Sequence, residues 1–252
     1  MHLLLYGPGR LGGAIAGAAI AQGWAVTPVG RPAADGTRPV APRADVVVDA
    51  SLGSAVAGNV AHALAGGNRA FILAATGWDA DQPRVRAMLA EHGAAAVVAT
   101  NLSLGAALFL RLAERAAAWY ARAGSFEPSV VEWHRRGKAD RPSGTARAIA
   151  RRIVAADPRW AGPDEAGDPT DTRPALEVVG IRAGANPGSH LVTFDGPGES
   201  IELRLTARDR TAYADGALAA AHWLATTAPA PGLHPFDAVV DDLLDAPAAV
   251  PA

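Results

Sequence analysis

Residues 132–146, reading E-W-H-R-R-G-K-A-D-R-P-S-G-T-A, bring a histidine, a lysine and a Ser-Gly-Thr turn close enough in sequence to share one site. His134, with an ordinary pKa of about 6.5, can give or take a proton near neutrality. Lys138 is a cation able to polarise an acceptor and donate a proton. Ser143, Gly144 and Thr145 stand where the loop turns into an alanine-rich helix. The first turn of a helix presents unpaired N–H groups and the positive end of its dipole, so these residues suit a carboxylate or phosphate. Gly144 lets such a ligand approach the backbone. The chemistry suggested is proton transfer beside an anion site. A capped helix after a solvated loop reads the same way locally, and these residues alone leave both readings open.

The elements that must position this stretch are a β-type run at 129–133, which delivers His134, and a helix at 145–155. A second positioning device lies at the N-terminus. An apolar strand at 3–6 runs into G-P-G-R-L-G (Gly7, Pro8, Gly9, Arg10, Leu11, Gly12), followed by a small-residue helix at 13–22 and a strand at 24–29. That order is the dinucleotide-binding fingerprint: Gly7 for the tight turn, Gly9 for approach of the pyrophosphate, Gly12 for packing of helix on strand. Strands at 46–48, 70–73 and 94–99 alternate with helices at 54–65 and 83–92, which implies right-handed crossovers and a parallel sheet. Ligands bind outside the carboxyl ends of such strands. Ser51, Ala74-Ala75-Thr76 and Thr100-Asn101-Leu102-Ser103 follow those ends and are candidates to line the cofactor. Such residues also serve simply as caps and turns.

The position about 20 residues past the glycine turn, where an NAD-selective domain carries an acid, holds Gly30, and Arg31 follows. This favours NADPH, whose 2′-phosphate a guanidinium can pair, with NADH also accepted. Asp35 is the nearest acid able to reach the ribose, and Arg31 alternatively only starts a solvated loop.

Further on, 104–123 reads as one long helix with Leu108, Leu112 and Ala116 on its apolar face. Residues 157–172, rich in Pro, Gly and Asp, read as a flexible loop. Strands follow at 176–181, 189–195 and 200–206, the last two joined as a hairpin by Gly196-Pro197-Gly198, then a helix at 214–225 and a frayed end after residue 245.

Half of the 252 residues are hydrophobic, enough to bury a sizeable core. A formal charge of −2 with dispersed basic residues gives no electrostatic reason to bind nucleic acid. The chain has no cysteine, hence no thiolate nucleophile, disulfide or Cys-ligated metal, and no metal site is expected. The first residues lack the basic n-region of a signal peptide, and no apolar run is long enough to span a bilayer. A cytoplasmic location without membrane contact is the default expectation.

Taken together, G-P-G-R-L-G, V-D-A-S, A-T-G-W, T-N-L-S-L-G, the 132–146 stretch, I-R-A-G and the close A-R-D-R-T-A-Y-A-D-G-A-L-A-A-A-H-W-L resemble the 4-hydroxy-tetrahydrodipicolinate (dihydrodipicolinate) reductase family over nearly the whole chain. The resemblance implies an α/β protein with a Rossmann-type parallel-sheet domain at 1–103 and 211–252. Inserted in it, at 104–210, is an α+β domain with a mixed sheet that binds substrate and makes tetramer contacts. It implies hydride transfer from NADPH or NADH to a cyclic imine dicarboxylate in lysine and diaminopimelate biosynthesis. His134 and Lys138 fall on the family's proton-transfer and polarising positions, Gly144 and Thr145 on its carboxylate site, and Arg210 on a further substrate contact. The chain departs from the family in having Arg135 where a second histidine is usual, Ala74-Ala75-Thr76 for Gly-Thr-Thr, and Leu205 for a histidine. Arg135 can still bind a carboxylate, since a guanidinium pairs with one bidentately. The alternative readings are a paralogue reducing another cyclic imine and a non-catalytic dinucleotide-binding sensor.

Overall fold

The structure, a computed structural model, describes residues 1–33, 35–99, 101–162, 171–209 and 211–245. The chain divides into two compact units, Met1–Leu104 with Arg210–Ala252, and Gly105–Asp209.

The first unit is built on six parallel strands: β1 (His2–Tyr6), β2 (Ala25–Val29), β3 (Val46–Asp49), β4 (Ala70–Leu73), β5 (Ala95–Val98) and β10 (Gly232–Pro235), in the order β10-β5-β4-β3-β1-β2. The central strands are buried on both faces, so they read as continuous apolar runs such as Leu3-Leu4-Leu5 and Val46-Val47-Val48. On one face Leu4, Tyr6, Val47, Phe71 and Leu73 pack with α2 (Val56–Ala65) and α3 (Gln82–Glu91). On the other lie α1 (Arg10–Ala21) and α6 (Thr211–Thr227), whose small residues permit close approach: a Cβ on Gly216 would stand 1.7 Å from the Leu102 carbonyl oxygen. β10 and α7 (Phe236–Asp245) follow α6; the sequence reading assigned neither. The frayed end expected after residue 245 lies outside the described residues.

The second unit is a mixed sheet in the order β7-β6-β8-β9, made of β6 (Glu127–His134), β7 (Glu177–Arg182), β8 (Ser189–Asp195) and β9 (Ser200–Thr206). β6 and β7 are parallel, the other pairs antiparallel, and the β8–β9 hairpin closes through the Gly196 N–H to Glu199 carbonyl bond. α4 (Leu104–Ala123) and α5 (Gly144–Ala156) cover one face through Phe109, Ala113, Ala117, Ile149 and Ile153, packed on Val130, Val192 and Phe194. The apolar face expected for α4 is corrected here: Leu112 is 58% exposed, and the buried row is Phe109, Ala113, Ala117. Both rows satisfy the helical period, and the ring of Phe109 and the small size of its alanine neighbours decide which fits against the sheet. In the 157–172 segment, Asp157 is buried and paired with Arg159, while residues 163–170 lie outside the described residues.

Candidate active site

In the first unit the strand register aligns Tyr6, Asp49, Leu73 and Val98 side by side, with Val29 beside Tyr6. Every turn that follows therefore emerges at one carboxyl edge. This edge gathers Gly7 to Gly12, Ser51, Ala74 to Thr76 and Asn101 to Ser103, with Arg31 just beyond β2; Thr100 lies outside the described residues. Gly7 has φ +78°, and a Cβ on it would meet the Ala50 carbonyl oxygen and Ser51 at 2.6 Å; one on Gly12 would lie 2.2 Å from the Gly7 carbonyl oxygen. Gly9 N-caps α1 with no side-chain hydrogen bond, and a Cβ on it would meet nothing within 4 Å. The turn is thus closed where backbone packs on backbone and open where a pyrophosphate needs the helix amides, so these residues fit a dinucleotide. Buried Asp49 fixes the next turn: it accepts from the Ser51 N–H at 2.9 Å and from Asn59 Nδ2 at 2.9 Å.

Beyond β2 lies a pocket of about 250 Å³ whose lining includes Val29, Arg31, Arg38, Val40 and His62. Arg38, which the sequence reading passed over, donates from Nη1 to Asn59 Oδ1 at 2.8 Å and lies 5.7 Å from the centre of the Tyr6 ring. Its Nε is buried and has no hydrogen-bond partner among the described residues. Two guanidinium groups therefore line this pocket. Asp35 instead accepts from its neighbour Thr37, through both the backbone N–H and the hydroxyl.

In the second unit the site grows from the period of β6. Val130, Glu132 and His134 alternate inward, which buries a carboxylate and an imidazole in a run that otherwise fills a core. The register sets His190 of β8 opposite Glu132, and Arg182 of β7 beside His134. Glu132, fully buried, accepts at Oε1 from the Arg182 guanidinium at 2.7 Å and from the Ser143 N–H at 2.8 Å. Its Oε2 lies 3.1 Å from His134 Nδ1 and 3.7 Å from His190 Nε2. Ser143 N-caps α5, its hydroxyl oxygen accepting from the Ala146 N–H at 3.2 Å. Arg182 also donates to the Asp140 carbonyl, and Asp140 in turn holds Lys138 Nζ at 2.6 Å. One carboxylate and one guanidinium thus tie together the histidine, the lysine loop and the N-terminus of α5. Gly144 is exposed, with nothing within 4 Å of a would-be Cβ, and Thr145 follows it half-buried. Arg135 is exposed, and Arg210 lies outside the described residues.

Burial pushes the Glu132 carboxyl up, but the hydrogen bonds from Ser143 and Arg182 outweigh it and hold the pKa below its ordinary value. His134 is held low by burial first, the nearby Glu132 opposing and Lys138 reinforcing the shift. His190 falls further, to about 4, through burial and then the neighbouring His134. Around neutral pH the site therefore combines an anionic Glu132 with two neutral imidazoles. Glu132, His134 and His190 offer ligand atoms within 4.8 Å of one another, a spacing that a metal ion could bridge. The Arg182 guanidinium already neutralises the carboxylate, and Lys138 close by adds a second positive charge, so the cluster opposes a further cation.

Residues 105–240 match the family model described as "Dihydrodipicolinate reductase, C-terminus". The chain belongs to the dihydrodipicolinate reductase family. Among curated relatives, the 4-hydroxy-tetrahydrodipicolinate reductase of Rhodopirellula baltica is 37% identical over 195 residues, covering 75% of this chain and 68% of the relative. That of Myxococcus xanthus is 38% identical over 206 residues, covering 77% and 71%. Among solved structures, the dipicolinate-bound dihydrodipicolinate reductase from Paenisporosarcina sp. TG-14 shares the fold with a TM-score of 0.70 at 19% identity, covering 93% of this chain and 97% of that one. The family's reductase fold thus carries both sets of residues described above.

The sequence reading gives no role to Glu132, Arg182, His190 or Arg38, although Glu132 opens the 132–146 stretch and Arg182 stands in I-R-A-G. Glu132 had a visible signal, being an acid two residues before His134 in a β-type run, hence on the same face. His190 has none and Arg182 only its place in I-R-A-G, since strand register alone brings them to Glu132.

Proposed function

We propose that this protein is a nicotinamide-dinucleotide-dependent reductase of 4-hydroxy-tetrahydrodipicolinate/dihydrodipicolinate, forming tetrahydrodipicolinate in lysine and diaminopimelate biosynthesis. The observation that carries the reading is the network joining His134, the Lys138 loop and the open N-terminus of α5 through Glu132 and Arg182. The bound dinucleotide supplies a hydride. Hydride addition to a conjugated imine builds negative charge on the substrate, which cationic Lys138 stabilises and then quenches by donating a proton. Ser143, Gly144 and Thr145 orient one substrate carboxylate at the helix terminus, and Arg210 and Arg135 are the cations proposed for the other. In this reading residues 1–103 with 211–252 bind the dinucleotide and residues 104–210 bind the substrate.

NADPH is the proposed preferred cofactor, with NADH accepted, because Arg31 and Arg38 line one pocket beyond β2 and Asp35 is engaged with Thr37. A homotetramer is proposed on the family resemblance. In support, Trp133, Val179 and Ile181 on the outer face of the second sheet are 41%, 45% and 39% exposed, an apolar patch suited to burial against another copy.

The test is an assay following the oxidation of NADPH and NADH, by their absorbance, on freshly generated dihydrodipicolinate. Turnover is the expected result. Dinucleotide binding without turnover would favour a sensor, and turnover restricted to other cyclic imines would favour a paralogue.

A further inference from the structure

We infer that Glu132 is a positioning residue that fixes the tautomer of His134, so that the proton sits on Nδ1 and Nε2 is the nitrogen left to exchange a proton or accept a hydrogen bond from a ligand. This rests on the reductase reading above and deepens it. Glu132 is buried and ionised among donors, so its oxygens can only accept. Oε1 is committed to Arg182 and Ser143. Oε2 lies 3.1 Å from His134 Nδ1, off the line of an aligned hydrogen bond, and among the described residues neither buried atom has a hydrogen-bond partner elsewhere. A bare Nδ1 would set two lone pairs against each other in a dry interior, whereas Nδ1–H sets a donor beside the carboxylate oxygen, the polar atom nearest to it.

The opposite nitrogen has its space kept clear. Nε2 lies against Gly188, where a Cβ would come within 3.0 Å of it, and Gly188 takes φ +147°, a conformation glycine favours. A neutral imidazole with its proton on Nδ1 presents a basic Nε2. His134 then acts as acceptor, and Lys138 remains the acid. Because the same carboxylate also holds the Ser143 N–H, the nitrogen chosen for proton exchange and the N-terminus of the anion-binding helix are set by one group.

Glu132→Gln separates these two tasks. The new amide must turn its carbonyl toward the donors Arg182 and Ser143, which leaves its NH₂ facing Nδ1 and forces the proton of His134 onto Nε2. The experiment is ¹⁵N-histidine labelling at pH 7.5 with long-range ¹H–¹⁵N correlation, the His134 signals assigned by their loss in His134→Gln. It is paired with steady-state kinetics of wild type and Glu132→Gln. Expected are the Nδ1–H tautomer in the wild type, the Nε2–H tautomer in the variant, and a kcat lower by about a hundredfold to ten-thousandfold with substrate KM within about threefold. An Nε2–H tautomer in the wild type would overturn the inference. So would an unchanged tautomer in a folded variant, a switched tautomer with kcat within about threefold of wild type, or a defect confined to KM, the last making Glu132 only an anchor for α5. If the variant does not fold, the wild-type spectrum alone decides. The spectrum needs no turnover, so failure of the reductase assay and failure of this inference are read separately.

Discussion

The imidazole of His134 packs against the backbone of Gly188 so closely that a methyl group there would lie 3.0 Å from Nε2. Gly188→Ala should therefore obstruct the nitrogen that the Glu132 contact leaves free, besides straining a backbone at φ +147° by about 1–3 kcal/mol. We expect kcat to fall by about tenfold or more, worth about 1.4 kcal/mol, with dinucleotide affinity unchanged. Steady-state kinetics together with a fluorescence titration of NADPH checks both halves.

Lys138 is held by Asp140 at 2.6 Å in the loop that Arg182 pins to Glu132. As the proposed acid, its replacement in Lys138→Ala should lower kcat by about a hundredfold to ten-thousandfold while cofactor affinity stays near wild type. A variant within about threefold of wild type would remove Lys138 from the chemistry.

Arg31 and Arg38 share the lining of the pocket beyond β2. A charged hydrogen bond contributes about 1.5–3 kcal/mol, so Arg31→Ala and Arg38→Ala should each lower kcat/KM for NADPH by about tenfold to a hundredfold and leave NADH nearly untouched. The wild-type preference for NADPH should shrink in high salt, because an exposed phosphate contact is screened. Equal efficiency with both cofactors in the wild type would overturn this.

His190 links the site to stability. Its pKa falls from about 6.5 in the unfolded chain to about 4 in the fold, because burial and then His134 disfavour the charged ring. Between those values the unfolded chain binds a proton that the folded chain refuses. The fold thus keeps its full stability above about pH 6.5 and loses it as pH falls toward about 4, by roughly 3 kcal/mol at most. His134, shifted the same way, adds to the trend. Urea unfolding at pH 7.5 and pH 4.5 should show a smaller difference for His190→Asn than for wild type. An equal difference in both would exclude His190 as the titrating group.

The glycine turn was legible because strand, turn and helix follow one another along the chain, and the close backbone packing that requires Gly7 and Gly12 is local. The His134-to-Thr145 stretch was legible for the same reason. The network behind it was hidden, since Glu132, Arg182 and His190 meet only through the register of three strands. β10 escaped notice because Gly-Leu-His-Pro neither alternates nor favours a strand, and it holds its place as an edge strand of a parallel sheet by pairing with β5. On α4, alanine-rich flanks made two faces look apolar, and only the sheet beneath distinguishes Phe109 from Leu112.

That edge strand also gives the protein an order of assembly. Residues 232–235 are synthesised long after the strand they pair with, and α6, which lies against β3, β4 and β5, precedes them only slightly. During translation the first sheet must wait with its β5 edge unpaired, and with α1 but not α6 on one of its faces, until the whole second unit has emerged from the ribosome. The second unit, continuous in sequence, can complete its own sheet first. A nascent chain stalled before residue 211 would thus hold a complete second sheet while the first still lacks α6 and β10, making that interval the natural one for chaperone engagement.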